Sequence, residues 1–181
     1  MTALGEQLDA YLAEVVDAID GVVPVAGAYV LGSAALGSFD PATSDLDVVV
    51  VVERPLDADE RTRIWRALDE LPVPVRKLEL VVYAAGARPP AFDLNYPDGD
   101  GEPGFWFVLD AAIAQERARP LRGRPWHELL EPVTEAETRR AAEEMVRWAE
   151  ERDDELARPH GVRARHYLEH GTWMTKAKAT R

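Results

Sequence analysis

Two aspartates open a valine-rich segment that ends at Val52. Because successive side chains of a β-strand point to opposite faces, the spacing predicts that Asp45 and Asp47 share one face while Leu46 points into the core. Two adjacent carboxylates repel each other unless a cation lies between them. Mg²⁺ prefers hard oxygen ligands and usually binds through one or two carboxylates together with substrate phosphates. The pattern therefore predicts a magnesium site at Asp45 and Asp47.

A Gly-Ser pair, Gly32-Ser33, ends the apolar run that precedes the two aspartates. A turn at this point would offer free backbone N–H groups and a hydroxyl group, which suit a phosphate. Ser33 could also be the N-cap of a short helix, and the two roles are compatible because a capped N-terminus is where a phosphate would lie. Together with the aspartates, the pair predicts a metal–nucleotide site.

Glu79 lies in the middle of the apolar segment 75–83, where alternation predicts a strand. A glutamate at such a position is costly unless it is solvated, paired or functional. If this strand neighbours the aspartate strand, Glu79 faces the same site, either as a third metal ligand or as a general base for an acceptor hydroxyl. The alternative is a salt bridge to Lys77 or Arg76.

Hydrophobic periodicity predicts an α/β (α+β) protein with a small mixed sheet, flanking helices and a mostly α-helical C-terminal lobe. The predicted strands are 28–31, 45–53, 75–83 and, within a Pro- and Gly-rich stretch, 91–95. The predicted helices are 3–19, 33–36, a segment capped by Asp57 or Asp59 and stopped by Pro72, 105–118, 126–130, 135–157 with a capping box at 134–137, and 162–170 after a break at 159–161. We expect an α/β lobe over 1–104 and a helical lobe over 105–181.

The composition limits the classes of partner. The chain has 181 residues, a net charge of −12 and no cysteine. The acidic charge disfavours nucleic acid and anionic membranes, and no apolar run approaches the roughly 20 residues of a membrane helix. Without cysteine there is no thiolate chemistry, and a cytoplasmic location is the default. An acidic surface favours cationic partners instead, and the oligomeric state stays open.

Gly32-Ser33, Asp45-x-Asp47 and Glu79 as a set resemble the nucleotidyltransferase superfamily that includes DNA polymerase β. The similarity is greatest to the aminoglycoside adenylyltransferases that modify streptomycin and spectinomycin, and to their bacterial relatives. Weaker similarity continues through 105–110, 121–125 and 167–171, so that it covers most of the chain. The resemblance implies that ATP is the donor, that AMP is transferred, and that the acceptor is a small hydroxylated molecule, with aminoglycoside-type antibiotics as candidates.

The resemblance also implies roles for individual residues. Gly32 and Ser33 would hold the β- and γ-phosphates, Asp45 and Asp47 would hold Mg²⁺, and Glu79 would be catalytic. A weaker match places Trp106 and Asp110 against the substrate.

The C-terminal segment departs from the family pattern. Residues 175–181 are basic, whereas antibiotic-modifying relatives use acidic residues there to hold the amines of the drug. The helical lobe is also shorter than in the family, so we expect a nucleotide cleft that is open on that side.

Two other functions compete with a small-molecule transferase. The chain could be an antitoxin-like nucleotidyltransferase that modifies a partner protein, which the helices after Phe105 disfavour. It could also be a catalytically weak nucleotide-binding module, which the three carboxylates disfavour. The segment His166–His170 matches the H-x-x-E-H pattern of inverted zinc peptidases, but no third ligand is evident, and we interpret it as a solvated helix face.

Overall fold

The computed structural model describes residues 3–35, 37, 39–86, 93–99 and 104–179. Its strands are β1 (Val25–Val30), β2 (Asp45–Val52), β3 (Lys77–Ala84), β4 (Leu94–Tyr96) and β5 (Arg119–Gly123). Its helices are α1 (Ala3–Asp20), α2 (Gly32–Ala35), α3 (Ala58–Asp69), α4 (Phe105–Arg117), α5 (Trp126–Leu129), α6 (Glu135–Arg152), α7 (Arg158–His170) and α8 (Lys176–Ala179). The mixed α/β class with a helical C-terminal part confirms the predicted fold class.

The sheet has five strands in the order β4-β3-β2-β1-β5. β2 lies at its centre, pairing parallel with β3 and antiparallel with β1. The outer pairs β3–β4 and β1–β5 are antiparallel. The valines from Val48 to Val52 are buried whichever face they point to, which explains why this strand has a continuous apolar run rather than alternation.

The larger core lies between the sheet and the apolar faces of two helices, α1 and α3. It joins buried side chains of these helices to those of the strands, including Leu12, Val16, Ile64, Leu46 and Leu80. On the opposite face, Tyr29 of β1 packs edge-on against Trp126 of α5, with ring centroids 5.2 Å apart. Central strands buried on both faces provide a rigid base for polar side chains at their ends.

Local sequence signals place the helix starts. Asp57 caps α3, accepting the Glu60 N–H at 2.8 Å while the Glu60 side chain accepts the Asp57 N–H at 3.0 Å. This selects Asp57 over Asp59 as the cap. Thr134 and Glu137 form the predicted capping box of α6.

Two predicted features of the helical segments are wrong. The run Pro159–Gly161 does not break a helix, because α7 begins at Arg158 and Pro159 lies in its first turn, where the missing N–H is not needed. The preceding helix ends earlier than predicted, at Arg152, with Asp153 in the left-handed conformation at φ 42°.

The strands also differ in part from the predictions. β5 was not predicted at all, since Arg119–Gly123 has only one aliphatic side chain. β1 begins three residues earlier than expected. β4 is confirmed only as Leu94–Tyr96, because residues 91 and 92 of the predicted 91–95 strand lie outside the described residues.

The chain divides into two compact units. The first contains Met1–Glu102 and Ile113–Glu131, and the second contains Pro103–Ala112 and Pro132–Arg181. The segment 113–131 thus lies with the sheet, to which it contributes β5, although the sequence assigns it to the helical lobe. Because compactness does not show which segments fold independently, the lobes 1–104 and 105–181 stay a prediction.

The longest helices, α1 and α6, have 18 residues each. Both carry several charged side chains. Within the described ranges, no helix is long and apolar enough to cross a membrane.

Candidate functional site

The register of two parallel strands brings the predicted acidic residues together. β2 and β3 pair so that Asp47 is opposite Glu79 and Asp45 is opposite Lys77. In both strands these residues are half-buried, while the residues between them are buried in the core. Paired residues of a parallel sheet point to the same face, so Asp45, Asp47 and Glu79 lie on one face of the first unit.

The carboxylate of Asp47 lies directly against Gly32. A Cβ atom added to Gly32 would be 1.8 Å from Oδ2 of Asp47, and Gly32 has a left-handed φ of 57°. The N–H of Leu31 also donates to the backbone oxygen of Asp47 at 2.9 Å. Glycine at position 32 therefore makes room for the carboxylate, because a side chain there would have to displace it.

Ser33 follows as the second residue of α2 rather than preceding the helix as its N-cap. It is the next residue in the chain after Gly32, which lies against the Asp47 carboxylate. The structure thus brings Gly32 against Asp47 and pairs Asp47 with Glu79 across the two strands. Asp45 lies on the same face as Asp47 and Glu79.

Two basic side chains, just before and at the start of β3, neutralise part of the negative charge on this face. Arg76 forms an ion pair with Asp45. Nζ of Lys77 donates to Oε1 of Glu79 at 2.9 Å, which is the salt bridge that the sequence left open as an alternative. The same ammonium group donates to Oδ2 and Oδ1 of Asp98 at 3.0 and 3.2 Å.

The charged state of Lys77 is fixed by these contacts. Burial lowers the pKa of its ammonium group, but the hydrogen bonds to Glu79 and Asp98 outweigh burial and raise the pKa above its ordinary value. Lys77 therefore carries its positive charge at neutral pH.

The acidic face fits a divalent cation by composition and charge. Among the described residues, this network combines four carboxylates (Asp45, Asp47, Glu79 and Asp98) with two cations (Arg76 and Lys77), and an excess of carboxylates is what a divalent ion requires. In the described part of the chain, no group of three or more His, Asp or Glu side chains is arranged to hold a metal ion. Two carboxylates on one strand face nevertheless suffice for Mg²⁺ when phosphates supply the other oxygens.

Asp98 is the member of this network that sequence analysis missed. It lies in the turn after β4, within a segment that has only turn-forming residues. Its approach to Lys77 depends on the pairing of β4 with β3, and no local pattern encodes that pairing.

Trp106 and Asp110, the two residues predicted to contact substrate, lie one helical turn apart on α4. Both are in the part of α4 that belongs to the second unit. The indole ring of Trp106 packs edge-on against His160 and Trp148, with centroids 5.0 and 5.6 Å apart. Its Nε1 is buried and has no hydrogen-bond partner among the described residues. Contact of Trp106 and Asp110 with a substrate stays a prediction.

A cavity of about 480 Å³ in the first unit is not lined by any of the predicted site residues. It lies between α3 and the segment 93–99, with Trp65 as its aromatic wall. Several of its polar groups already have partners, since Arg61 donates to the Asp93 oxygen at 2.7 Å and Tyr96 donates to Asp69 at 3.0 Å. We therefore locate the candidate site at the carboxylates and not at this cavity.

The H-x-x-E-H segment has no metal-binding arrangement among the described residues. The rings of His166 and His170 lie 4.5 Å apart on α7, and His170 and Glu169 are both more than half exposed. This agrees with the interpretation as a solvated helix face.

Part of the chain matches a known protein family. Residues 11–90 match the nucleotidyltransferase domain family, and this range contains Asp45, Asp47, Glu79 and the Gly-Ser pair. A search of curated proteins finds no significant match.

The fold is shared with a solved structure of TM-score above 0.5, and two further structures match more weakly. The spectinomycin adenyltransferase AAD(9) from Enterococcus faecialis, crystallised with ATP and spectinomycin, matches with a TM-score of 0.78 and 17% identity, over 94% of this chain and 79% of that one. A toxin–antitoxin structure with AMP-PNP matches at a TM-score of 0.38 and 15% identity, over 78% and 91% of the two chains. A Shewanella oneidensis HEPN toxin in complex with MNT antitoxin matches at 0.34 and 13%, over 80% and 91%. TM-scores this low support no further conclusion.

Proposed function

We propose that this protein transfers AMP from ATP to a hydroxyl group of a small molecule in a Mg²⁺-dependent reaction, which the match of residues 11–90 to the nucleotidyltransferase domain family supports. The observation that carries the proposal is the position of Asp47. Its carboxylate lies against Gly32 on one side, and its strand partner on the other side is Glu79. A candidate metal ligand thus lies between a candidate phosphate loop and a candidate base.

Each residue has a role in this proposal. Asp45 and Asp47 hold Mg²⁺, and Gly32 and Ser33 hold the β- and γ-phosphates of the nucleotide. The absence of a Cβ at Gly32 leaves room for the carboxylate of Asp47 beside the loop. When bound, Mg²⁺ supplies stabilisation of the negative charge on the phosphate oxygens.

The chemical step requires one base and an in-line geometry. An acceptor hydroxyl attacks the α-phosphorus, the new bond joins the acceptor oxygen to phosphorus, and pyrophosphate leaves. Glu79 accepts the proton of the hydroxyl at Oε2, since Oε1 is engaged by Lys77. Holding the two reactants in line on a rigid strand pair supplies a large part of the rate acceleration.

The likeness to the spectinomycin adenyltransferase supports this choice of donor and acceptor class. That protein shares the fold over 94% of this chain, and its crystals contain ATP and a hydroxylated small molecule. The identity of 17% supports the fold and leaves the acceptor of this chain as part of the proposal.

Binding and turnover test the proposal in two steps. Isothermal titration with ATP should show binding in the presence of Mg²⁺ that weakens at least tenfold in EDTA. A screen of hydroxylated acceptors should then show acceptor-dependent release of pyrophosphate, together with an acceptor whose mass increases by one AMP. ATP binding that is independent of Mg²⁺, or hydrolysis to ADP and phosphate without AMP transfer, would contradict the proposal.

A further inference from the structure

One ammonium group joins two carboxylates that come from different segments of the candidate site. Lys77 donates to Glu79 on its own strand at 2.9 Å and to both oxygens of Asp98, in the turn after β4, at 3.0 and 3.2 Å. The Lys77 side chain is only 32% exposed, whereas the two carboxylates are 40% and 50% exposed. The two carboxylates therefore form an acidic clamp, here named the Glu79–Asp98 clamp, and Lys77 fills it.

Because Lys77 fills the clamp, its positive charge disfavours acceptors that carry a positive charge near the reacting hydroxyl. Glu79 is the proposed base, so the acceptor hydroxyl must come within hydrogen-bond distance of its free oxygen. An ammonium group next to that hydroxyl would meet the charge of Lys77 a few ångströms away, in a half-buried place where water screens charge incompletely. Three of the four carboxylate oxygens of the clamp already accept from Lys77, which leaves Oε2 of Glu79, the oxygen of the proposed base.

We propose that Lys77 is a specificity-determining residue, because its ammonium group fills the Glu79–Asp98 clamp and so excludes acceptors that carry an ammonium group beside the reacting hydroxyl. The acceptor is then a neutral or anionic polyol, not a polyamine. The inference rests on the proposed function only for the statement that the clamp belongs to the acceptor site. It separates this chain from a spectinomycin-type acceptor, since spectinomycin is a cationic aminocyclitol.

Two cyclitols of the same ring form a matched pair of probes. scyllo-Inositol carries six hydroxyl groups, and streptamine replaces two of them by amines that are protonated near neutral pH. Calorimetric titration of each probe into the wild type, Lys77→Gln and Lys77→Gln/Asp98→Asn measures the effect of emptying the clamp. Arg54→Gln is the matched control, because it removes a cation that pairs with another glutamate, Glu60, outside the site.

We expect streptamine to bind Lys77→Gln at least tenfold more tightly than it binds the wild type. Asp98→Asn in the same variant should abolish this gain, and the Arg54→Gln control should bind streptamine as the wild type does. The affinity for scyllo-inositol should change less than twofold. If Lys77→Gln does not unfold cooperatively, Lys77→Met replaces it, since its side chain has a similar length and no charge.

The inference would be overturned if streptamine bound the wild type and Lys77→Gln with equal affinity, or if it bound neither of them detectably. A gain that persists in the double variant would overturn it as well. Pyrophosphate release distinguishes this result from failure of the proposed function. A wild-type enzyme that adenylylates streptamine faster than scyllo-inositol supports the function and overturns the role of Lys77. Absence of AMP transfer to any acceptor, with the expected order of affinities, refutes the function and leaves supported only that Lys77 excludes ammonium groups from the clamp.

Discussion

Two glutamates of the first unit pair with a basic side chain but use their oxygens differently. Both oxygens of Glu60 are engaged, by Arg54 at 2.7 and 2.9 Å and by the Asp57 N–H at 3.0 Å, and the side chain is 7% exposed. Glu79 accepts a hydrogen bond from Lys77 at Oε1 alone, and the Glu79 side chain is 40% exposed. No other hydrogen bond to Glu79 is found within the part of the chain that the structure describes.

The difference separates a structural carboxylate from one that is available for chemistry. Arg54 and the Asp57 N–H, with their hydrogen bonds, hold the pKa of Glu60 down to about 2. Such a carboxylate has no oxygen left for a substrate and can only fix the start of α3. Glu79 keeps one oxygen exposed on the face that it shares with Asp47. The comparison therefore predicts that loss of Glu60 affects stability, whereas loss of Glu79 affects turnover.

The largest effect is expected for Asp47, because it is a proposed metal ligand that lies against Gly32 and is the strand partner of Glu79. Asp47→Asn should lower AMP transfer by about 10³-fold or more, which corresponds to roughly 4 kcal/mol of transition-state stabilisation. The melting temperature should stay the same or rise, because the amide relieves repulsion between neighbouring carboxylates. Asp59→Asn is the control, since Asp59 is an exposed carboxylate on α3. Near-normal turnover of Asp47→Asn would refute the metal-binding role.

The next largest effect is a contrast between the Glu79→Gln and Glu60→Gln variants in kcat and melting temperature. Glu79→Gln should lower kcat by about 10²-fold, as loss of a general base does, with little change in melting temperature because Lys77 keeps Asp98 as a partner. Glu60→Gln should lower the melting temperature and leave kcat within twofold of the wild type. Steady-state kinetics and thermal denaturation of both variants check the contrast. If Glu79→Gln destabilised the protein without slowing it, Glu79 would belong to the same class as Glu60.

A smaller effect is expected at the glycine that makes room for Asp47. Gly32→Ala should lower kcat/KM by about tenfold, because the new methyl group displaces the Asp47 carboxylate. Gly37→Ala is a matched control, since Gly37 also has a positive φ, of 71°, but a Cβ there would meet nothing within 4 Å. Both variants should lose about 1 kcal/mol of stability from backbone strain, and only Gly32→Ala should lose activity. Equal activities would show that Asp47 tolerates displacement.

The placement of the candidate residues on one face of β2 and β3 could be predicted from sequence because their pattern is local. Alternation between buried and half-buried positions places Asp45 and Asp47 on one face, and the same parity places Glu79 on the same face once the strands are neighbours. The pairing of Glu79 with Lys77 is also local, since it joins residues two apart on one strand.

Long-range pairing accounts for what sequence analysis missed. Arg119–Gly123 becomes β5 because it pairs with β1, with Gly123 opposite Gly27, not because its own residues favour a strand. A Cβ on Gly123 would lie 2.2 Å from the backbone oxygen of Ala26, so this glycine permits the close approach. Asp98 reaches Lys77 only through the β3–β4 pairing. Neither contact leaves a periodic signal in the chain.

The smallest expected effect is the pH dependence of the contribution that Glu60 makes to stability. Its pKa is lowered from 4.5 to about 2 in the folded protein, first by the hydrogen bond from Arg54 and then by that from the Asp57 N–H. A carboxyl group with a lowered folded-state pKa stabilises the protein fully above its unfolded pKa, and this contribution is lost as the pH falls through the folded pKa. Thermal denaturation of the wild type and Glu60→Gln should therefore show the largest difference in melting temperature near neutral pH, and a difference that shrinks from about pH 4.5 to about pH 2. Arg54→Gln, which removes the cation that lowers this pKa, should lose stability at pH 7 and show a weaker dependence over the same window. A difference between wild type and Glu60→Gln that stays constant down to pH 2.5 would show that Glu60 stabilises α3 without its charge, and the contrast with Glu79 would then rest on exposure alone.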